Sequence, residues 1–205
     1  MTPLTSRTPF GQIVSMVCAI ALLIGTVAGL SAVAGDDDVT PAATGEQRTA
    51  AATNALAPDD KTFIETALQG GIAEVQEVEL AQKKAAAPEL RTAAEQLEQE
   101  HKALNTELSR IGTQYGMTLP KEPSAERQAL YDKLQKLSGE QFDAQFLKAG
   151  TEAHKKTIAL FERTQSTSAN PDVKALTRDT LPTLKKHLSM LEGLQAGKTA
   201  THSSE

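Results

Sequence analysis

Three of the four histidines in this chain, His101, His154 and His187, lie near the middle of three different predicted helices, on the apolar face of each. A fourth predicted helix carries Glu74 at the same height. If these helices pack together, one carboxylate and three imidazoles meet in the centre of a small helical bundle, where isolated polar groups are costly. Imidazole nitrogens and a carboxylate oxygen suit Zn, Fe, Cu or Mn. The sequence therefore predicts one transition-metal ion bound by these four residues, and it identifies no reaction.

The residues three positions before these histidines disfavour a di-iron centre. Ferritin-like di-iron sites use two Glu-x-x-His pairs and two further carboxylates. Glu98 supplies this spacing once, with His101, whereas Thr151 and Leu184 stand three positions before the other two histidines. A mononuclear site is therefore favoured over a ferroxidase or a di-iron oxidase. Glu98 and Glu152 become auxiliary ligands only if the helices are rotated from their predicted orientation.

The same four residues also allow a metal-free interpretation. In it, Glu74 accepts hydrogen bonds from protonated histidines, and the polar layer fixes the register of the helices. Such a layer would respond to acid near the pKa of histidine, as an envelope stress sensor requires. Two functions therefore remain: a metal-binding or metal-dependent stress protein, or a non-catalytic interaction module of the envelope. Whether the protein is an enzyme is left open.

Composition predicts that every element positioning these residues is a helix. Ala, Leu, Glu, Gln and Lys dominate, and no run of β-branched or aromatic residues indicates a strand. The first helix is predicted over Asp59–Ala86, with Glu74 on its apolar seam and Glu77 pointing elsewhere. The second helix begins at Pro88, a residue favoured in the first helical turn, and His101 occupies one position of its seam. The rest of that seam follows steps of four and three: Leu90, Ala94, Leu97, Leu104, Leu108, Ile111 and Tyr115.

The remaining two long helices are delimited by capping residues. Ser138 opens a Ser-x-x-Gln pattern that resembles a capping box, which predicts a helix from there to about Thr167. Asn170, followed by proline, is a predicted N-cap for the last helix. Pro182 falls inside that helix and is predicted to kink it about one turn before His187.

The four candidate ligands lie at one level of the predicted bundle. Each is within about four positions of its helix midpoint, which is ~6 Å at a rise of ~1.5 Å per residue. The connection Gly116–Leu137 is long enough to travel the length of a helix, and it contains a short predicted helix, Ala125–Leu137. The prediction is an all-α, ferritin-like four-helix bundle with a short extra helix in the connection between helices 2 and 3.

The ordered motifs of these helices carry a resemblance to a known family. The motifs are Ala67 with Glu74-Val75, Glu100-His101, Ser138-Gly139 with Phe142-Asp143, His154, Leu181-Pro182 and His187-Leu188. Over about Asp59 to Leu194, the chain resembles a bacterial domain-of-unknown-function family of exported, ferritin-like proteins, often labelled outer membrane proteins. Glu100 stands where the pattern has Asp before the histidine, and the extra methylene alters any contact around the site. The resemblance implies a ferritin-like bundle in the cell envelope and no established activity.

The first 34 residues are predicted to be a bacterial secretory signal peptide. Arg7 precedes an uncharged run from Ile13 to Ala34 that ends in Ala-Val-Ala, a small-x-small cleavage site. The run is also long enough to cross a bilayer, so an uncleaved membrane anchor is the alternative. Cleavage removes Cys18, the only cysteine, and leaves a mature chain without disulfide or thiol chemistry.

Composition divides the rest of the chain into three parts. Residues 35–58 lack periodic apolar positions and are predicted to be a flexible linker. The helical bundle is predicted over residues 59–196. Residues 197–205, which include His202, are predicted to be a disordered tail.

Charge and motifs narrow the partners and the location. The formal net charge is -5, with both signs interspersed, so nucleic acid is not an expected partner. No nucleophile with a base, phosphate loop or paired acid motif supports a conventional hydrolase or transferase. The predicted location is the periplasm or cell envelope, with membrane association only through an uncleaved N-terminal segment. Protein partners are not identified.

Overall fold

The computed structural model describes the backbone of residues 55–202 and the side chains of residues 55–197. The predicted signal peptide, most of the predicted linker and residues 203–205 lie outside the described residues. Five helices follow one another in the described part: α1 (Pro58–Lys84), α2 (Pro88–Gln114), α3 (Ala125–Gln135), α4 (Gly139–Thr167) and α5 (Pro171–His202). None of these five is long and apolar enough to span a membrane.

The four long helices form a bundle in which α4 runs in the same direction as α2. At one end of the core, the starts of α1 and α5 pack against the ends of α2 and α4, through side chains such as Phe63 and Leu108. The other end joins the opposite helix ends, through side chains such as Leu97 and Phe142. Because α1 and α5 each pack on both α2 and α4, the parallel helices α2 and α4 lie diagonally opposite each other in the bundle. This order confirms the predicted all-α, ferritin-like four-helix bundle with a short extra helix.

Residues 115–138 carry the chain from one end of the bundle to the other. The short helix α3 lies within this crossover and packs on α1 and α4. At the end of α1, the ammonium group of Lys84 donates to the backbone carbonyls of Gln135 and Leu137. These contacts fix the end of α3 beside the end of α1.

Residues at the helix starts explain the boundaries. Pro58 and Pro88 lie in the first turns of α1 and α2, where a missing N–H leaves no helical bond unmade. Asn170 caps α5 as predicted. Its Oδ1 accepts hydrogen bonds from the backbone N–H groups of Asp172 and Val173, at 3.0 and 3.1 Å.

Ser138 is the N-cap of α4, but the predicted capping box does not form. The Ser138 side chain makes no capping hydrogen bond. Gly139 follows it with a φ of 61°, a left-handed conformation that favours glycine, so the chain does not enter α4 in the geometry of the box. Asp143 instead accepts hydrogen bonds from the backbone N–H groups of Ala86 and Ala87, both at 3.0 Å. The start of α4 is therefore tied to the loop between α1 and α2.

Several helix ends differ from the predicted ones. The first helix and the short helix end slightly earlier than predicted, at Lys84 and Gln135. The last helix continues past Ala196, the predicted end of the bundle, to His202. Residues 197–202 contain no proline to stop the helix, although glycine and two threonines there are weak helix formers. Pro182 lies inside α5 without ending it.

Candidate metal centre

Three imidazoles meet in the centre of the bundle, one each from α2, α4 and α5. His101, His154 and His187 each offer a ring nitrogen, and these nitrogens lie within 4.8 Å of one another. The ring centroids are 5.3 to 5.5 Å apart, and the residues are 5%, 2% and 1% exposed. We refer to these three residues as the histidine cluster. The structure thus brings together three of the four residues that the sequence predicted at one level.

The histidine cluster lies between the two apolar ends of the core. Phe161 and Leu184 belong to the apolar cluster at one end, and Leu97 and Leu147 belong to the cluster at the other. Apolar surroundings keep water away from the imidazoles and strengthen electrostatic interactions between them. The layer is therefore a polar site enclosed above and below by apolar side chains.

His154 is held with one ring nitrogen outward and the other towards the centre. Its Nδ1 lies 2.9 Å from the carbonyl oxygen of Gly150, one turn earlier on α4. Because a carbonyl only accepts hydrogen bonds, Nδ1 carries the proton, and Nε2 presents a lone pair. Among the described residues, Nε2 has no hydrogen-bond partner.

His187 is held in the same way by a carboxylate. Its Nε2 is hydrogen-bonded to Oε2 of Glu100, on the neighbouring helix α2. Burial opposes the ionised form of Glu100, but hydrogen bonds from Gln96 and His187 lower its pKa below the usual value. The ionised carboxylate accepts, so Nε2 of His187 carries the proton. Its Nδ1 is buried and has no hydrogen-bond partner in the described part of the chain.

His101 is the least constrained member of the histidine cluster. Neither of its ring nitrogens has a hydrogen-bond partner among the described side chains and backbone. Burial, with the two neighbouring histidines, lowers the pKa of His101 to about 4, although Glu74 opposes the shift. Burial also lowers the pKa of His187. Both imidazoles are therefore neutral at neutral pH, which is the form that binds metal ions.

Glu74 lies beside the histidine cluster but is paired with an arginine. Its Oε2 is 3.0 Å from Nη2 of Arg127, in the first turn of α3. Its Oε1 lies 4.0 Å from Nδ1 of His154, beyond hydrogen-bond distance, and has no hydrogen-bond partner in the described region. Glu74 is therefore close to the site predicted for it, with a different partner.

Glu77, predicted to lie off the apolar seam, is buried and joins the same arginine. Its Oε2 lies 2.7 Å from Nη2 of Arg127. The side chain is enclosed because α3 covers this face of α1. Burial and the neighbouring Glu74 raise the pKa of Glu77 to about 8, against the effect of Arg127. Glu77 therefore carries a proton at neutral pH.

The contacts that Arg127 and Glu100 make beside the histidine cluster were not predicted from the sequence. Arg127 lies in the crossover, and no periodic pattern indicates which helix α3 covers. Glu100 did carry a signal: it directly precedes His101, and consecutive helical residues point about 100° apart, so it faces the next helix. That geometry follows from the sequence once α2 has been assigned.

The other candidate ligands lie away from the histidine cluster. Glu98 accepts a hydrogen bond from Gln82 on α1 at 2.6 Å and forms an ion pair with Lys102. Glu152 is exposed on α4. The side chain of His202 lies outside the described residues. The helix rotation that would make Glu98 or Glu152 an auxiliary ligand is therefore not observed.

Two grooves border the histidine cluster on different faces of the bundle. One, of about 860 Å³, lies between α1, α3 and α4, and Glu74, His101 and His154 line its inner wall. The other, of about 590 Å³, lies between α2 and α5, and its lining includes Glu100, His101 and His187. Each imidazole lines at least one groove, so an ion has a route to the cluster from either face.

The donor set fits a transition-metal ion. Metal-binding histidines usually donate their second ring N–H to a backbone carbonyl or a carboxylate, which fixes the ring and its tautomer. Gly150 and Glu100 supply one contact of each kind. Three neutral imidazoles on three helices are a common set of protein ligands for Zn, Cu and Fe. The histidine cluster could therefore hold one such ion.

Comparisons with known proteins give a family match and solved structures of similar fold. The sequence profile of a family described as "Domain of unknown function (DUF4142)" matches residues 45–194. No curated protein matches the chain. This profile match agrees with the resemblance to a domain-of-unknown-function family, whereas export and the outer membrane label stay predictions.

Two solved structures of similar fold are helical bundles whose sequences have low identity to this chain. The crystal structure of a DUF305 fragment from Deinococcus radiodurans has a TM-score of 0.63 and 18% identity, over 69% of this chain and 98% of that chain. CopM in the Cu(II)-bound form has a TM-score of 0.59 and 17% identity, over 67% of this chain and 96% of that chain. At these identities the likeness shows the fold alone.

Proposed function

Because this chain belongs to the DUF4142 family, a domain family of unknown function, we propose its function from its own core: it binds one transition-metal ion through His101, His154 and His187. Gly150 and Glu100 orient two of the three rings from behind. A metal ion in this position supplies a Lewis acid or a redox centre. Three imidazole nitrogens would hold it, one from each of α2, α4 and α5.

The direction of the ring nitrogens carries the proposal. Nε2 of His154, Nδ1 of His187 and both nitrogens of His101 are buried without a hydrogen-bond partner among the described residues. An unsatisfied buried polar atom costs about 1–3 kcal/mol. Three imidazoles from separate helices, each with a ring nitrogen within 4.8 Å of the others and with unpartnered nitrogens, are therefore unfavourable unless a cation binds them. One metal ion would bind one nitrogen of each imidazole and so remove three of these four deficits at once.

Copper and zinc are the metals that this ligand set favours. Imidazole nitrogen suits both, and Cu(II) has the highest affinity among the divalent first-row ions for a given nitrogen site. The only cysteine of the chain, Cys18, lies in the predicted signal peptide, so thiolate does not compete as a ligand in the mature protein. The name of one structural neighbour, CopM in the Cu(II)-bound form, adds support for testing copper first.

Metal analysis of histidine variants tests the proposal. Untagged protein is stripped with a chelator, reloaded with Cu(II) or Zn(II) against a competing chelator, and analysed by plasma mass spectrometry. We expect about one equivalent in the parent, and a loss of about tenfold or more in affinity in His101→Ala, His154→Ala and His187→Ala. His202→Ala changes the remaining histidine and should bind as the parent does. No stoichiometric metal in the parent, or equal binding by His101→Ala, would contradict the proposal.

A metal-free polar layer is the second candidate. The 4.0 Å separation between Nδ1 of His154 and Oε1 of Glu74 favours it. Two observations weigh against it: Glu74 accepts from Arg127 instead, and His101, with a pKa of about 4, is not protonated at neutral pH. Thermal unfolding separates the candidates, because a chelator lowers the melting temperature only if metal stabilises the folded state.

We also propose that the protein acts in the cell envelope. The predicted signal peptide and the cysteine-free mature chain support export. Intact-mass analysis of the protein from a periplasmic fraction tests this, with Gly35 as the expected first residue after cleavage at Ala34. A mass that retains residues 1–34, recovered with membranes, would instead indicate an uncleaved anchor.

A further inference from the structure

The groove between α1, α3 and α4 is lined by Arg127 and Glu74 next to the histidines, and Arg127 also contacts the buried Glu77. We infer that Arg127 keeps Glu74 out of the metal's coordination shell and thereby limits the protein ligands to three imidazoles. This inference rests on the proposed function and adds a residue that determines which metals the site prefers. Arg127 acts through Glu74, so it is a positioning residue and not a ligand.

The contacts of Arg127 hold the Glu74 carboxylate on the α3 side of the groove. Nη2 of Arg127 lies 3.0 Å from Oε2 of Glu74 and 2.7 Å from Oε2 of Glu77. The side chains of the three residues are 16%, 6% and 2% exposed. The Arg127–Glu74 ion pair, at such low exposure, is screened little by solvent, and breaking it by removing a partner is strongly unfavourable. The Glu74 carboxylate is therefore not free to turn towards the imidazoles.

Glu74 nevertheless lies beside the histidine cluster, in the same groove as His101 and His154. Its Oε1 lies 4.0 Å from Nδ1 of His154 and has no hydrogen-bond partner among the described residues. This nitrogen is the one that contacts Gly150, so Glu74 would reach a metal ion only by rotating its side chain past the edge of the His154 ring. Without Arg127, a metal ion in the histidine cluster would be the nearest cation able to neutralise the buried carboxylate.

The consequence concerns metal preference. Three imidazoles suit Cu(II) and Zn(II), whereas an added carboxylate provides a hard oxygen donor that suits Mn(II). Arg127 therefore favours the softer metals by withholding Glu74. Arg127→Gln should release Glu74 and raise affinity for Mn(II), and the gain should require the Glu74 carboxylate.

A double-mutant cycle on Mn(II) affinity tests this inference. The four proteins are the parent, Arg127→Gln, Glu74→Gln and the double variant, with affinity measured by calorimetry or by electron paramagnetic resonance of free Mn(II). We expect Arg127→Gln to bind Mn(II) about tenfold or more tightly than the parent, and the double variant to lose that gain. Glu74→Gln alone should bind as the parent does, because Glu74 is not a ligand while Arg127 is present.

Two variants control for charge and for the rest of the cluster. Arg127→Lys keeps a cation beside Glu74 and should show parent affinity for Mn(II). Glu77→Gln mimics the protonated carboxyl that a pKa of about 8 gives Glu77 at neutral pH, so it should also bind as the parent does. A gain that persists in the double variant would overturn the inference, since loss of a positive charge alone would then explain it.

A second measurement does not depend on folding of Arg127→Gln. The electron paramagnetic resonance spectrum of the Cu(II)-loaded Glu74→Gln variant should match that of the parent. A change in the copper hyperfine coupling would mean that Glu74 already coordinates the metal, which overturns the inference. A parent that binds neither Cu(II) nor Zn(II) would refute the proposed function and this inference with it. A parent that binds copper, with no gain in Mn(II) affinity in Arg127→Gln, would refute this inference alone.

Discussion

Glu100 on α2 accepts a hydrogen bond from Nε2 of His187 on α5, and this contact joins two neighbouring helices at the level of the histidine cluster. Since Glu100 directly precedes His101, one turn of α2 supplies a candidate ligand and the carboxylate that orients another. The contact leaves Nδ1 of His187 directed towards the other two imidazoles. Pairing of this kind also makes a ligating imidazole more basic and fixes its tautomer.

Replacing Glu100 should weaken metal binding without removing a ligand. In Glu100→Gln the amide can accept less strongly from Nε2 of His187, so the ring is held less well and donates less charge. We expect Cu(II) affinity to fall by about 10- to 100-fold, measured by competition with a chelator. Glu98→Gln is the matched control, because Glu98 is also on α2 but contacts Gln82 and Lys102 instead. Equal losses in the two variants would refute an orienting role for Glu100.

The positions of the three histidines could be predicted because they depend on helix periodicity alone. His101 occupies one position of an apolar seam, and a seam must face the core wherever the helix packs. His154 and His187 lie near the midpoints of long antiparallel helices, so their levels coincide once those helices are in contact. Periodicity and helix length together therefore located most of the site.

The environment of Glu74 could not be predicted in the same way. Its partner, Arg127, belongs to a short helix with few apolar positions, and its place over α1 depends on the path of the whole crossover. Glu77 is buried for the same reason, although its position on α1 is off the seam. Contacts that depend on which helix covers which have no local signal in the sequence. The contacts of Arg127 with Glu74 and Glu77 were therefore found only in the structure.

The metal-free protein should lose stability as the pH falls below the pKa of unfolded histidine. The pKa of His101 is about 4 in the folded state and 6.5 unperturbed. Between these values the unfolded chain binds a proton that the folded protein does not, so the free energy of unfolding falls as pH decreases. Above about pH 6.5 neither state binds it, and the effect vanishes. We expect a contribution of about 2.5 kcal/mol by pH 4.5, at up to about 1.4 kcal/mol per pH unit.

The contribution of His101 is isolated by comparing variants in urea unfolding with a chelator present. Glu77, with its raised pKa, acts in the opposite direction over an overlapping range, since it stabilises the folded state more at lower pH. The difference between the parent and His101→Gln should nevertheless change with pH below 6.5 and be constant above it. His202→Gln should show a difference that does not vary in this way. A constant difference for His101→Gln would contradict the lowered pKa.

Asp143 should contribute strongly to stability although it lies outside the site. Its two carboxylate oxygens accept from the backbone N–H groups of Ala86 and Ala87, and the residue is fully buried. Asp143→Ala leaves two part-buried N–H groups without these acceptors, so we expect a loss of about 1–3 kcal/mol in the free energy of unfolding. Asp143→Asn retains one carbonyl acceptor, so its free energy of unfolding should lie between those of the parent and Asp143→Ala. Glu140→Ala, an exposed acidic residue in the first turn of α4, should lose less than about 1 kcal/mol.

Gly70 and Gly71 are neighbours on α1 for which the structure predicts opposite effects of alanine. A Cβ at Gly70 would meet nothing within 4 Å, whereas a Cβ at Gly71 would lie 1.9 Å from Oδ1 of Asn105 on α2. Alanine is favoured over glycine in a helix by about 1 kcal/mol. Gly70→Ala should therefore raise the free energy of unfolding by about 0.5–1 kcal/mol. Gly71→Ala should lower it by about 1–3 kcal/mol, because Asn105 must move or the helices must separate.

The double variant shows whether the contact with Asn105 causes the loss. Asn105 lies one turn beyond His101, and its Oδ1 is buried without a hydrogen-bond partner among the described residues. Asn105→Ala removes the atoms that a Cβ at Gly71 would meet, so Gly71→Ala in that background should stabilise the helix as Gly70→Ala does. Urea unfolding of the four proteins gives the coupling between the two positions. Additive effects would mean that the Asn105 side chain is not what requires glycine at position 71, and the close approach of α1 and α2 there would need another cause.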